Sequence, residues 1–240
     1  MSLAGENLIE IQDLKFCYNA KTLPPHHTHC LNSISLTIYK GEFIALTGKS
    51  GSGKSTLAKM LNALLLPDSG AVRVNGMDSC DITMRWEIRR SVGVLFQDPD
   101  NQIIGTTVAE DAAFGPENLG LPPETIRFRV NEALNTVGMI EYGMVAPHLL
   151  NAVQKLKLSI AGILTMQPAC IVVDESTALL NRAEQDEIIA LLRNLNRTAG
   201  LTVLLITQTE EDLLIADRVL EIDAGCIKER HISAKEALSC

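Results

Sequence analysis

The chain contains no uninterrupted run approaching the roughly 18 apolar residues of a membrane-spanning helix, and its N-terminus has no basic segment followed by an apolar one. It does not insert into a bilayer by itself. It also lacks a basic excess: 21 lysines and arginines against 29 aspartates and glutamates leave a formal charge of −8, the wrong sign for a surface that grips nucleic acid. No two of Cys17, Cys30, Cys80, Cys170, Cys226 and Cys240 form a C-x-x-C pair, so spacing suggests neither a zinc site nor a disulfide framework, and a reducing cytoplasm is the expected compartment. Internal repeats and low-complexity linkers are absent.

What is present is enough for a sizeable core. With 240 residues, 46% of them hydrophobic and 21% charged, the chain reads as globular rather than disordered. Residues 31–38 alternate Leu31, Ile34, Leu36 and Ile38 toward one face, the pattern of a half-exposed strand. "FIALT" (43–47), "VGVLF" (92–96), "CIVVD" (170–174) and "TVLLIT" (202–207) are compact apolar runs suited to strands covered on both faces. Helices are expected at 54–65, 124–138, 154–166 and 183–198, the last with Ile188, Ile189, Leu192 and Leu195 on one stripe and Gly200 ending it. Alternating strands and helices define an α/β protein with a mainly parallel sheet. Residues 98–168, without a comparable strand run, read as a helical insertion.

"GKSGSGKST" (Gly48, Lys49, Ser50, Gly51, Ser52, Gly53, Lys54, Ser55, Thr56) lies between a buried strand and a helix and satisfies G-x-x-x-x-G-K-[ST]. The glycines let successive backbone N–H groups turn toward phosphate oxygens, and the following helix presents its positive end. Lys54 is placed to reach the β- and γ-phosphates of ATP and the Ser55 hydroxyl to ligate Mg2+. In "CIVVDES", Asp174 is expected to hold the magnesium through water and Glu175 to polarise the attacking water. An Asp-Glu pair ending a strand is weak evidence alone; coupled to the phosphate loop it is strong.

With these motifs the chain resembles the ATP-binding subunits of ABC transporters over nearly its whole length. "GVLFQDPDNQIIGTTVAEDAAFGPENLGLP" (93–122) resembles the ATPases of energy-coupling-factor importers, which take up vitamins or transition-metal ions. The resemblance implies a P-loop nucleotide-binding core (1–97 and 169–240) with an N-terminal antiparallel β region, and a helical subdomain at 98–168. It gives Gln97 the role of sensing Mg2+ and the attacking water, and makes Tyr18 the aromatic that stacks on adenine. It places the metal-coloured run "HHTHC" (His26, His27, His29, Cys30) in a variable loop between strands and makes His148 structural. The implied partners are a second ABC ATPase, facing this one head to tail, and an integral membrane subunit. The implied location is cytoplasmic, peripheral on the inner face of the cell membrane. The further C-terminal segment that aids dimerisation in the family is expected to be short or absent here.

The chain departs from the family pattern in one segment and at several further positions. "LNAVQ" (150–154) stands where the family has Leu-Ser-Gly-Gly-Gln, whose serine hydroxyl and glycine N–H groups approach the partner's γ-phosphate. Asn151 can still cap a helix, but Val153 is expected to fill space that backbone approach to phosphate needs. Asn181 replaces an aspartate that links the two sites, and Gln208 replaces the switch histidine; a glutamine can donate a hydrogen bond but carries no proton. Leu156 and Lys157 replace the usual glutamine and arginine. Losing one donor to developing charge typically costs ~3 kcal/mol, about a hundredfold in rate. The expectation is a chain that binds Mg-ATP, hydrolyses it poorly and pairs with a different, intact ATPase. The competing readings are a slow self-pairing ATPase, a non-hydrolysing regulatory module, and a soluble ABC ATPase of repair or translation.

Overall fold

The computed structural model describes residues 5–18, 30–178 and 180–230, so His26, His27 and His29 lie outside the described residues. In chain order the first half runs β1 (Asn7–Phe16), β2 (Leu31–Tyr39), β3 (Phe43–Thr47), α1 (Lys54–Leu61), β4 (Ser69–Val74), β5 (Met77–Asp78), α2 (Arg85–Ser91), β6 (Val92–Leu95) and α3 (Val108–Asn118). There follow α4 (Pro123–Thr136), α5 (Ala152–Thr165), β7 (Cys170–Asp174), α6 (Arg182–Ala199), β8 (Thr202–Ile206), α7 (Glu210–Leu214), β9 (Arg218–Asp223) and β10 (Cys226–Arg230).

A six-stranded sheet, ordered β10-β9-β3-β8-β7-β6, is parallel except for the β10 edge, and an antiparallel sheet is ordered β2-β1-β4-β5. The apolar runs form the centre of the first sheet because each is covered twice. Phe43, Leu95, Ile171, Val173, Val203 and Leu205 pack on one face with α3, α4, α5 and α6. The alternate residues Ile44, Leu46, Val94, Val172, Leu204 and Ile206 pack on the other with α1 and the antiparallel sheet. The period-two pleat sorts one continuous hydrophobic run into two cores.

Helix boundaries follow local chemistry. Helix α1 stops at Leu61, short of the expected 65: Ala63 turns left-handed (φ 53), and the N–H groups of Leu64 and Leu65 both fold back to the Lys59 carbonyl. Helix α6 begins in a capping box, where Asn181 accepts from the Glu184 N–H and Glu184 accepts from the Asn181 N–H; it ends at left-handed Gly200 (φ 66). No strand forms between β6 and β7. There α3, α4 and α5 pack on one another, and α3 runs through Pro116. The proline has no N–H for the Ala112 carbonyl four residues back, and the Thr165 hydroxyl of α5 donates to that carbonyl at 3.0 Å instead.

Candidate functional site

Strand β3 ends at Thr47 and the chain enters a loop whose glycines are held for different reasons. At Gly48 (φ 146) a Cβ would lie 2.2 Å from the Ile222 carbonyl oxygen, and at Gly53 (φ 111) 2.6 Å from that of Cys30. At Gly51 (φ 76) it would meet nothing within 4 Å. The loop is therefore clamped at both ends and open at its crest, where Lys49, Ser50 and Gly51 are exposed. Beneath the crest Lys54, 5% exposed, donates from Nζ to the carbonyls of Gly48 (2.7 Å) and Lys49 (3.0 Å). The buried Ser52 hydroxyl has no hydrogen-bond partner among the described residues, an acceptor and donor left over in the loop itself.

Strand β7 delivers the carboxylates to the same edge. Ser55 Oγ donates to Asp174 Oδ1 at 3.0 Å, which joins two of the three side chains expected at the magnesium directly, Gln97 being the third. Burial pushes the Asp174 carboxyl above its usual range; the Ser55 hydrogen bond opposes this, Glu175 adds to it, and Lys59 and Lys54 act against it. Glu175 takes a left-handed backbone (φ 49), uncommon for a residue with a Cβ, and its N–H reaches the Ile206 carbonyl of β8. Its Oε1 is 3.2 Å from Lys54 Nζ and accepts from Gln208 Nε2 at 3.0 Å.

Gln208 is aimed by the turn after β8. Thr207 Oγ1 donates to buried Asp212 at 2.9 Å and accepts from the Thr209 N–H at 3.1 Å. Burial also raises the Asp212 carboxyl, the Thr207 bond opposing it. Glu175, Thr177, Gln185, Thr207 and Gln208 line a cleft of about 260 Å³. Tyr18, 44% exposed, stacks edge-on against Phe16, and its hydroxyl lies 3.3 Å from Thr56 Oγ1.

Gln97 follows β6, which pairs with β7 (Leu95 opposite Val173), so it stands at the same sheet edge. Its side chain is exposed and makes no hydrogen bond to Ser55, Asp174 or Glu175 among the described residues. The loop that carries it is fastened on either side. Gln102 bonds both the Phe96 N–H and the Val94 carbonyl at 3.0 Å, and Lys155 of α5 pairs with Asp100 at 2.6 Å. Neither fastening was visible in the sequence, because the partners lie on separate elements.

The degenerate segment starts α5 in a closed capping box. Asn151 Oδ1 accepts from the Gln154 N–H at 2.9 Å, and Gln154 Oε1 accepts from the Asn151 N–H at 3.0 Å. Val153 does not crowd the helix start as its β-branched side chain suggested: it is 7% exposed and packs into the core shared with α3 and the sheet. The helical phase turns it inward, leaving Ala152 and Asn151 outward. His148, expected to be structural, is exposed on the short 3₁₀ turn Pro147–Leu149.

A glycine loop over a buried lysine, a loop serine bonded to a strand-ending aspartate, and a glutamate one residue on define a P-loop nucleoside-triphosphate-binding protein. Residues 31–178 match the ABC transporter family, and the chain belongs to it; the members of that family's ATPase class bind and hydrolyse ATP, generally with Mg2+. The energy-coupling factor transporter ATP-binding protein EcfA1 of Clostridium perfringens is 47% identical over 222 residues, covering 92% of this chain and 78% of that protein. The cobalt import ATP-binding protein CbiO of Syntrophus aciditrophicus is 45% identical over 220 residues, covering 92% and 76%. Among solved structures, cbiO1 of Clostridium perfringens, part of the ABC transporter complex cbiONQ, superposes with a TM-score of 0.83 at 32% identity, over 93% of this chain and 87% of that one. A cassette solved as a dimer with ADP and phosphate after hydrolysis gives 0.82 at 25% identity, over 95% and 100%. Among the described residues no helix is long and apolar enough to cross a membrane.

Proposed function

We propose that the chain is the ATP-binding, energy-coupling subunit of an energy-coupling-factor importer for a vitamin or a transition-metal ion, with weakened hydrolysis of its own. It works on the inner face of the cell membrane against an integral membrane subunit, paired head to tail with a second ABC ATPase whose signature is intact. Residues 1–97 and 169–240 act as the nucleotide core and 98–168 as the helical subdomain.

The observation that carries the weakened hydrolysis is the Asn151–Gln154 box, which in a pair of two identical chains faces each ATP and in the mixed pair faces the partner's, this chain's own ATP there meeting Gln208 in place of a histidine. The acceptor at the N-cap is occupied by its own helix, and the Asn151 N–H is occupied by Gln154. A partner's phosphate is therefore offered no serine hydroxyl and fewer free N–H groups. With Val153 facing the core, the deficit is one of donors rather than of space.

Within this chain the loop N–H groups and Lys54 bind the phosphates, and Ser55 and Asp174 are the residues that would hold Mg2+, which fits the oxygen donors they present. When bound, that ion supplies charge neutralisation at the phosphate oxygens. Glu175 accepts the proton of the attacking water once Lys54 has moved from Oε1 onto phosphate. Gln208 then remains as the amide that holds Glu175 in place, without a histidine's ability to carry charge.

The test is steady-state Mg-ATP turnover by the isolated chain, on a sample first shown to bind ATP by thermal shift. Binding without turnover supports the reading, whereas brisk turnover that disappears in Glu175→Gln refutes the weakened hydrolysis. A purely regulatory module is favoured only by the capped state of Glu175. It requires Lys54→Ala to abolish partner binding and Glu175→Gln to leave both partner binding and all functional readouts unchanged.

A further inference from the structure

Tyr18 stands where the strand that carries it has run out of backbone pairings. On the β2 side the last pairing of β1 is Phe16 with Leu31, and on the β4 side it is Lys15 with Ser69. Alternate residues of a strand turn their N–H and C=O groups to the same side, so Lys15 and Cys17 both address β4. Asp68 satisfies both. Its own N–H donates to the Lys15 carbonyl at 2.9 Å, and its Oδ2 accepts from the Cys17 N–H at 2.8 Å. A side chain thus supplies the rung that the backbone of β4 does not reach, and the residue after that rung is Tyr18.

Asp68 comes to this position from the helix that grows out of the phosphate loop. Helix α1 begins at Lys54; beyond Leu61 the left-handed turn at Ala63, with the Leu64 and Leu65 N–H groups both returned to Lys59, leads the chain through Pro67 to Asp68. In the first turn of the same helix the buried Thr56 places its hydroxyl 3.3 Å from that of Tyr18. Phe16 meets the Tyr18 ring in a T-shaped contact, centroids 4.9 Å apart and planes at 82°. The ring is therefore held at its hydroxyl by the start of α1, at its side by Phe16, and at its backbone by the residue to which the end of α1 leads. With 44% of the residue exposed, surface remains for a flat base. A nucleotide whose phosphates are held by the loop brings its base to one limited region, and this support decides whether the ring is there to meet it.

We propose that Asp68 is a positioning residue for nucleotide binding: its carboxylate holds the end of β1, and through it the Tyr18 ring, in register with the phosphate loop. The inference rests on the reading of Gly48 to Thr56 as an ATP site and of Tyr18 as its base platform. Asp68 is exposed, and none of the contacts among Gly48, Lys54, Ser55 and Asp174 involves it. Its loss leaves the phosphate end of the site intact. Without the carboxylate β1 is paired only as far as Phe16, and the backbone that carries the ring is released.

The experiment titrates Mg-ATP, and separately magnesium tripolyphosphate, which has the phosphates without a base, into the full chain and its variants by calorimetry. Asp68→Ala is expected to bind Mg-ATP about fivefold more weakly and tripolyphosphate as the parent chain does. Asp68→Asn keeps an acceptor oxygen and is expected to restore ATP binding. Tyr18→Ala is expected to lose about tenfold or more for ATP alone, and adding Asp68→Ala to it to cost nothing further. An Asp68→Ala chain with unchanged ATP affinity, with an equal loss for tripolyphosphate, or with a loss that adds in full to that of Tyr18→Ala overturns the positioning role. So does an Asp68→Asn chain as weak as Asp68→Ala. A Tyr18→Ala chain that keeps full ATP affinity overturns the base-platform reading instead, and a parent chain that binds neither ligand overturns the ATP-site reading.

Discussion

Glu175→Gln should tighten ATP binding while stopping turnover, and the reason lies in what Lys54 does without nucleotide. Lys54 Nζ has three acceptors, the carbonyls of Gly48 and Lys49 and, at 3.2 Å, Glu175 Oε1. Lys54 is 5% and Glu175 24% exposed at the side chain, so their attraction is only partly screened. At an effective dielectric near 20, unit charges in contact attract by about 4 kcal/mol. Desolvation and the retained amide oxygen of a glutamine offset much of this, leaving a net loss of about 1–2 kcal/mol. That interaction competes with phosphate for the lysine, so its removal should strengthen Mg-ATP binding by about tenfold. It should lower stability without nucleotide by the same 1–2 kcal/mol or so, and cut turnover by ~10²–10⁴ by removing the proton acceptor. Calorimetric titration of Mg-ATP into both proteins, with phosphate release measured in parallel, reads both quantities. Unchanged or weaker binding in the variant refutes the competition.

Burial holds the Asp174 carboxyl above its usual range, so the folded chain keeps a proton that the unfolded chain has released; stability without nucleotide falls as pH rises through that window and stays lower at neutral pH. Asp174→Asn should therefore raise the melting temperature at pH ~7 and flatten its acid-side pH dependence, while losing the Mg2+-dependent part of the ATP shift, all read by scanning calorimetry. Gly48→Ala drives a Cβ to 2.2 Å from a backbone oxygen, and chemical denaturation should show a loss of about 3 kcal/mol or more. Gly51→Ala, whose Cβ meets nothing, should cost only about 1–2 kcal/mol for its left-handed backbone. Combining Gln208→His with Asn151→Ser restores a proton carrier and a hydroxyl, and phosphate-release assays should show turnover of the isolated chain rising by about tenfold or more.

The parts of the fold legible in the sequence are those with one dominant local signal. "FIALT" and "CIVVD" are apolar up to their last residue because both faces of their strands are covered, and the stripe of α6 faces a single core. Helix α3 was illegible because Gly115-Pro116 reads as a breaker; it is held by packing on α4 and α5, with the Thr165 hydroxyl of α5 shared between the orphaned Ala112 carbonyl and its own Gly162 carbonyl. The site was legible where spacing along the chain carries it, as in Gly48 to Thr56; the hydrogen bond between Ser55 and Asp174, two side chains expected at the magnesium, was not foreseen. It was illegible where orientation decides. Val153 has the bulk to block phosphate but points into the core, and nothing in a pentapeptide fixes that phase. Gln97 stands at the right sheet edge with its side chain outward; of the contacts that fasten its loop, Gln102 reaches back only to Phe96 and Val94, whereas Lys155–Asp100 joins a helix and a loop that the fold alone brings together.

Strand β3 sits between β8 and β9, pairing Phe43 with Val203 and Ile44 with Arg218. Its first N–H donates to Asp217, 174 residues downstream, and Ser55 waits 119 residues for Asp174. A growing chain therefore carries "FIALT" as an apolar ribbon with both edges bare until β8 and β9, more than 150 residues later, have left the ribosome. The Ser55 loop meets its Asp174 partner only when β7 is in place, and β3 is covered on both edges only when β8 and β9 are, so a chain truncated before β8 leaves this apolar strand without either neighbour.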